Sequence, residues 1–75
     1  MQIQITIGDK ILFRIPYFDS FLYYRGEVVN KNDKWLAVKY SAEVEMHNGY
    51  EKITHVTDIP FSFVVNENLE PIYPS

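Results

Sequence analysis

Apolar side chains recur at every second residue in this chain, in runs too short to make helices. Gln2-Ile3-Gln4-Ile5-Thr6-Ile7 alternates strictly, and Lys10 to Ile15 repeats the pattern with Ile11, Phe13 and Ile15 on one side. A period of two marks an extended strand with one face buried. Gly8-Asp9 separates these two strands. Pro16 ends the second or confines it to a sheet edge, because proline has no N–H to give a ladder.

The same period returns downstream. Tyr23 to Asn30 and Lys34 to Ser41 read as two strands, joined by Asn30-Lys31-Asn32-Asp33. Asn and Asp tolerate left-handed backbone and cap turns with their side chains. A loop of Lys31 to Asp33 sets Val28 against Leu36, Gly26 against Val38 and Tyr24 against Tyr40. That register gathers one apolar face and leaves Tyr23, Arg25, Glu27, Val29, Trp35, Ala37 and Lys39 on the other. Asn48-Gly49 is the strongest hairpin signal, since a type I′ turn needs positive φ at both central residues. Centred there, the turn pairs Val44 with Ile53 and Glu45 with Lys52. Glu51 then faces Met46, and His55 lies across from Ala42. Asp58-Ile59-Pro60 breaks the pattern. Phe61, Phe63 and Val65 alternate as a further strand, Asn66 to Leu69 forms one helical turn, and Glu70 to Tyr73 a short last strand.

Strands at this spacing predict an all-β fold of five to six antiparallel strands, with one short helical turn near the C-terminus. At 75 residues the chain makes one domain, residues 1–75. A domain this small needs large core side chains, and it has five Phe, six Tyr and one Trp. It has no cysteine, which excludes a disulfide framework or a thiolate zinc site and suits a reducing, cytoplasmic compartment. No signal-peptide pattern, membrane-length apolar run or lipidation motif is present, so no membrane association is expected.

The residues resemble the SH3-like small barrels, including KOW and Tudor modules. Gly8-Asp9-Lys10-Ile11 is similar to their G-D-x-V opening, Gly26-Glu27-Val28-Val29 to their second-strand G-x-V, and Trp35 to Tyr40 to their third strand. Asn68 to Ile72 resembles their one-turn helix and closing strand. The resemblance implies a small SH3-like barrel. Tudor-like relatives hold methylated lysine or arginine in an aromatic cage by cation–π attraction. Tyr17, Phe18, Phe21, Tyr23 and Trp35 or Tyr40 fall in the comparable regions. Where that family carries an acidic and aromatic cluster after the third strand, this chain has Ser41-Ala42-Glu43-Val44. The type II dihydrofolate reductases share the opening spacing, but their Val-Gln-Ile-Tyr run corresponds here to Lys52-Ile53-Thr54-His55, so that activity is not expected.

No Gly-x-Ser-x-Gly elbow or glycine-rich phosphate loop occurs. His47 and His55 lack further ligands at zinc spacing. A barrel this small is filled by its own side chains. The chain is therefore read as a non-enzymatic module with no cofactor and no metal. Its informative segment is Tyr17 to Tyr23, an aromatic loop. Either Phe18, Phe21 and Leu22 fold back to plug the barrel end, or the loop leaves an exposed apolar patch of the kind that marks partner sites. The register above places Trp35 on the outer wall beside Val29 and near Tyr23, either as an interface anchor or beneath the N-terminal strand. The candidate partner-binding residues are Tyr17, Phe18, Phe21, Tyr23, Arg25, Trp35 and Lys39. Their partner would be a protein or peptide, a second copy of the chain included. A short Ile/Lys/Asn/Tyr-rich domain suits a bacterial or phage accessory protein.

Weak single-stranded nucleic-acid binding is the alternative, through Arg25 and Lys39 beside Trp35 with Lys31 and Lys34 nearby. Net charge is −3, and Glu27 sits among the cations, so this partner is disfavoured. Residues 1–40 carry net +2 and residues 41–75 net −5, either as two faces of opposite sign or as scattered solvated charge.

Overall fold

A computed structural model describes residues 4–73. They form one antiparallel sheet of five strands: β1 (Lys10–Tyr17), β2 (Ser20–Lys31), β3 (Trp35–Met46), β4 (Gly49–Pro60) and β5 (Val64–Val65). The order across the sheet is β4-β3-β2-β1-β5. The only helix among the described residues is a 3-10 turn, Phe61–Phe63, leading into β5. This is a small barrel-like all-β fold, as the alternation predicts.

The core collects mainly the side chains on one parity of each long strand, with Ala37 and both residues of β5 buried as well. Phe13, Val28, Leu36, Val38 and Ile59 are almost wholly buried, joined by Ile5, Ile11 and Val64. Among the described residues no polar or charged one is buried with them. The rings of Phe13, Tyr24 and Tyr40 meet at its edge, with centroid separations of 5.2 Å for Phe13–Tyr40 and 4.8 Å for Tyr24–Tyr40.

Several boundaries differ from the sequence reading. Residues 4–7 are not a strand. Asp9 accepts hydrogen bonds from the Thr6 N–H (2.9 Å) and hydroxyl (3.1 Å), turning the chain back; Gly8 sits at φ 101. Ile5 still reaches the core, but Ile7 is exposed, and Ile3 lies outside the described residues. The turn is pinned to β2, where Gly8 N–H donates to Val28 O and Val28 N–H donates to Asp9 O.

Pro16 lies inside β1, opposite Phe21. It is tolerated because β5 pairs only with Leu12 and Phe13, leaving β1 an edge beyond them. Ile59 is core, opposite Leu36, so β4 runs through Asp58-Ile59-Pro60 without a break. The helical turn falls at 61–63, not at 66–69. Asn66 Oδ1 accepts from the N–H of Asn68 and Glu70 in a tight turn that puts Leu69 at φ 65. Beyond it, among the described residues, only Pro71 bridges, to Val65.

Both long hairpins are shifted from the expected registers. Val28 pairs with Val38, two residues from the expected Leu36, and a bulge at Val29 moves Asn30 opposite Ala37 and Lys31 opposite Leu36. The loop is Asn32 to Lys34, organised by Asn32 Oδ1, which accepts from the N–H of Lys34 (2.8 Å) and Trp35 (2.9 Å). Ala37, expected on the outer wall, is buried. In the next hairpin Met46 pairs with Gly49, Val44 with Glu51 and Glu45 with Tyr50, so the turn is His47-Asn48. Positive φ falls on Gly49 alone (127°), so the expected type I′ turn is not made. Before the bulge, and along the whole second hairpin, the shift is two and leaves side chains on their expected faces, because the strand period is two; past the bulge the offset is three, and Ala37 departs from its expected face.

Candidate partner-binding surface

The β2–β3 ladder ends at Glu27–Lys39. Below it the strands part into two arms. β2 continues with β1 from Gly26–Ile11 down to Ser20–Tyr17, and β3 continues with β4 down to Met46–Gly49. Gly26 stands at the fork. A Cβ there would lie 2.6 Å from Val38 Cγ1 and 2.7 Å from Lys39 O. Only glycine admits so close an approach of β3 to β2 at this point.

The aromatic segment is therefore no loop. Tyr17 pairs with Ser20 and Pro16 with Phe21, leaving Phe18-Asp19 as a two-residue turn. The sequence does not announce this turn because a phenylalanine, not Gly, Asn or Asp, holds its left-handed position. Instead Phe18 itself takes φ 53, a left-handed conformation unusual for a bulky side chain. Phe18 is 91% exposed, touching Tyr17 edge to face at 4.6 Å. Tyr17, Phe21, Leu22 and Tyr23 are also exposed. The aromatics do not plug the barrel end; they form the surface of the arm.

On the outer face of this arm Phe21 and Tyr23 stand opposite Pro16 and Arg14. Their rings are 6.5 Å apart, and the Arg14 guanidinium lies 4.2 Å from the centroid of the Phe21 ring. Arg14 Nε is buried and makes no hydrogen bond. The cation is held by the ring face, a cation–π arrangement. Arg14 was not among the sequence candidates. Its place follows only from the β1–β2 register, which an assumed 17–22 loop conceals.

The remaining candidates are spread out. Arg25 is on the same face, opposite Leu12, and Nη2 donates to both carboxylate oxygens of Glu67 at 3.1 Å. Lys39 stands across from Glu27 at the fork. Lys10 Nζ donates to Glu27 at 2.9 Å, and this bond, with the positive charge of Lys10, holds the Glu27 carboxyl below its ordinary value; Lys39 adds to it. Between the parting strands a shallow groove of about 430 Å³ is lined by Lys10, Arg25, Glu27, Lys39, Tyr40 and Thr54 among others.

Trp35 does not join Tyr23. Tyr23 lies four positions before Glu27 on β2 and Trp35 four positions before Lys39 on β3, on opposite sides of that pair. At about 3.3 Å per residue, on the order of 25 Å of strand separates them. Trp35 is half-buried opposite Pro60 at the far end of the sheet. The expectation of one continuous wall from Tyr23 to Trp35 is thus corrected: the bulge at Val29 and the parting of the strands divide it.

His47 is in the β3–β4 turn, and His55 faces Tyr40, not Ala42, with rings 5.6 Å apart. No group of three or more His, Cys, Asp or Glu among the described residues is placed to hold a metal ion. No helix among them is long and apolar enough to cross a membrane. No protein-family model matches this chain, and comparison with curated proteins and with solved structures likewise returned no match.

Proposed function

We propose that this chain is a non-enzymatic protein- or peptide-interaction module of the SH3-like barrel type, binding through the end of its β1–β2 hairpin. The reading rests above all on Phe18. A large ring held at φ 53 and 91% exposed costs backbone strain and leaves apolar surface in water. Docking into a partner's pocket would bury that ring, with Tyr17, Phe21 and Tyr23 around it. Such aromatic anchors dominate interface energetics. Arg14, stacked on Phe21, adds a cation at the rim. Trp35 and Lys39 take no part. Arg25 lies further up the same face, tied to Glu67. The strand order and the 3-10 turn before the last strand support the barrel resemblance. A cytoplasmic bacterial or phage accessory role fits the cysteine-free composition.

A random-peptide display selection on the wild-type chain tests this. Enriched peptides should lose binding to Phe18→Asp and to Phe21→Asp, while both variants keep a cooperative thermal transition. Peptides that bind these variants as well as wild type would refute the site. Single-stranded nucleic acid is the weaker reading, because Lys10 and Arg25, two of the three cations at the fork groove, are already in ion pairs. Fluorescence anisotropy at low salt should show no binding.

A further inference from the structure

The two ends of the sheet are finished differently. β5 is two residues long, and the chain itself covers its outer edge, where Pro71 bridges Val65 and Ile72 N–H donates to Val64 O. β4 is twelve residues long, terminates the sheet, and pairs on one side only. Such an edge is a template for another strand. Its outward side chains include two exposed apolar groups, Tyr50 (73% exposed) and Val56 (61%).

We infer that β4 pairs antiparallel with β4 of a second copy about a twofold axis at Ile53, joining two sheets into one of ten strands. Self-complementarity points to a second copy as the occupant and narrows the register, the His55-centred alternative setting Tyr50 against Pro60, which has no N–H to donate. A twofold normal to the sheet places residues of equal parity opposite each other, so only registers differing by two are available. Centred on Ile53, Tyr50 faces the partner's Val56, Glu51 faces its His55 and Lys52 faces its Thr54. Aromatic against β-branched is a favourable cross-strand pair. Centring on Lys52 sets two lysines directly opposite each other. Centring on Thr54 puts Tyr50 against Asp58 and Lys52 against Val56. Within its own sheet Lys52 has Glu43 as its cross-strand neighbour. The buried area of one strand pair is small, which makes this a weak, concentration-dependent dimer.

This site is independent of the aromatic hairpin end, and its test separates the two. The chain has no cysteine, so an introduced one reports only its own position. Opposed residues in antiparallel strands hold Cα atoms about 4.5–5.5 Å apart, within disulfide reach. Ile53→Cys should cross-link to its own copy under mild oxidation at least about tenfold faster than His55→Cys, whose counterpart lies four positions away. A mixture of Glu51→Cys and His55→Cys should give the hetero-disulfide. In sedimentation runs up to about 1 mM, where interfaces of this size assemble, Tyr50→Glu/Val56→Glu should weaken the dimer about tenfold or more, and Tyr50→Glu/Val56→Lys should restore it. Both positions are exposed, so folding survives these changes. A monomer at every concentration, equal cross-linking at positions 53 and 55, or a dimer abolished by Phe18→Asp but untouched by Tyr50→Glu/Val56→Glu would overturn the proposal.

Discussion

The two hairpin arms leave the same core from the same fork, yet they are built of different material. The β1–β2 arm, residues 10–26, carries Lys10, Arg14 and Arg25 against Asp19, net +2, and ends in exposed aromatics. The β3–β4 arm, residues 41–55, carries Glu43, Glu45 and Glu51 against Lys52, net −2, and its tip is His47-Asn48. In the second arm a glycine takes the positive φ, as a turn optimised for stability would have it. In the first, a phenylalanine takes it and gains no burial in return. A fold under no other demand would place Gly or Asn at Phe18. The β3–β4 tip is built for folding, and the β1–β2 tip fits the contact role proposed for it.

Both arms diverge at Gly26. Gly26→Ala drives a methyl into Val38 and the Lys39 carbonyl, where the neighbouring atom is partly backbone and cannot yield. We expect a loss of about 1–3 kcal/mol in urea unfolding, with both arms affected. An unchanged midpoint would mean that the strands part for some other reason.

The tips should respond in opposite senses. Gly49→Ala puts a Cβ at φ 127 and should cost about 1–2 kcal/mol, although open space surrounds the site. Phe18→Gly should instead stabilise, by up to about 1 kcal/mol, while abolishing peptide binding. Thermal and chemical unfolding of the two variants side by side decides the matter. If Phe18→Gly destabilises, the ring contributes to the fold and the contrast between the arms disappears.

The smallest effect lies at the fork. The Glu27 carboxyl titrates below its ordinary value because of Lys10. A lowered folded-state value means that the unfolded chain takes up the proton first as pH falls. The ion pair's contribution is therefore present above the ordinary carboxylate range and is lost as pH drops through the lowered folded value. Lys10→Met should raise the Glu27 titration midpoint toward the ordinary value, read by NMR. An unmoved midpoint would assign the shift to Lys39 instead.

Which residues face inward was legible for most positions, with Ile7, Ala37 and Met46 the exceptions. Ile11, Phe13, Val28, Leu36 and Val38 lie on the apolar parity and are buried, and Tyr24, Tyr40 and Ile53 follow them half-buried. The aromatic segment was legible as a candidate surface as well. Its form was not, since the Phe18-Asp19 turn uses a residue with no turn propensity, and nothing local announces that Pro16 can lie within a strand. Arg14 was invisible for the same reason, and Trp35 was wrongly joined to Tyr23.

Sequence alone thus determined the all-β class, the inward face of most strands and the places where most chain reversals occur. These depend on side-chain parity and on local turn chemistry, which survive a shift of two residues. Tertiary structure alone decided the registers, the bulge at Val29 and the fork at Gly26. Those are set by how side chains on different strands fill one shared core, and neighbouring registers of equal parity look alike until the strands are brought together.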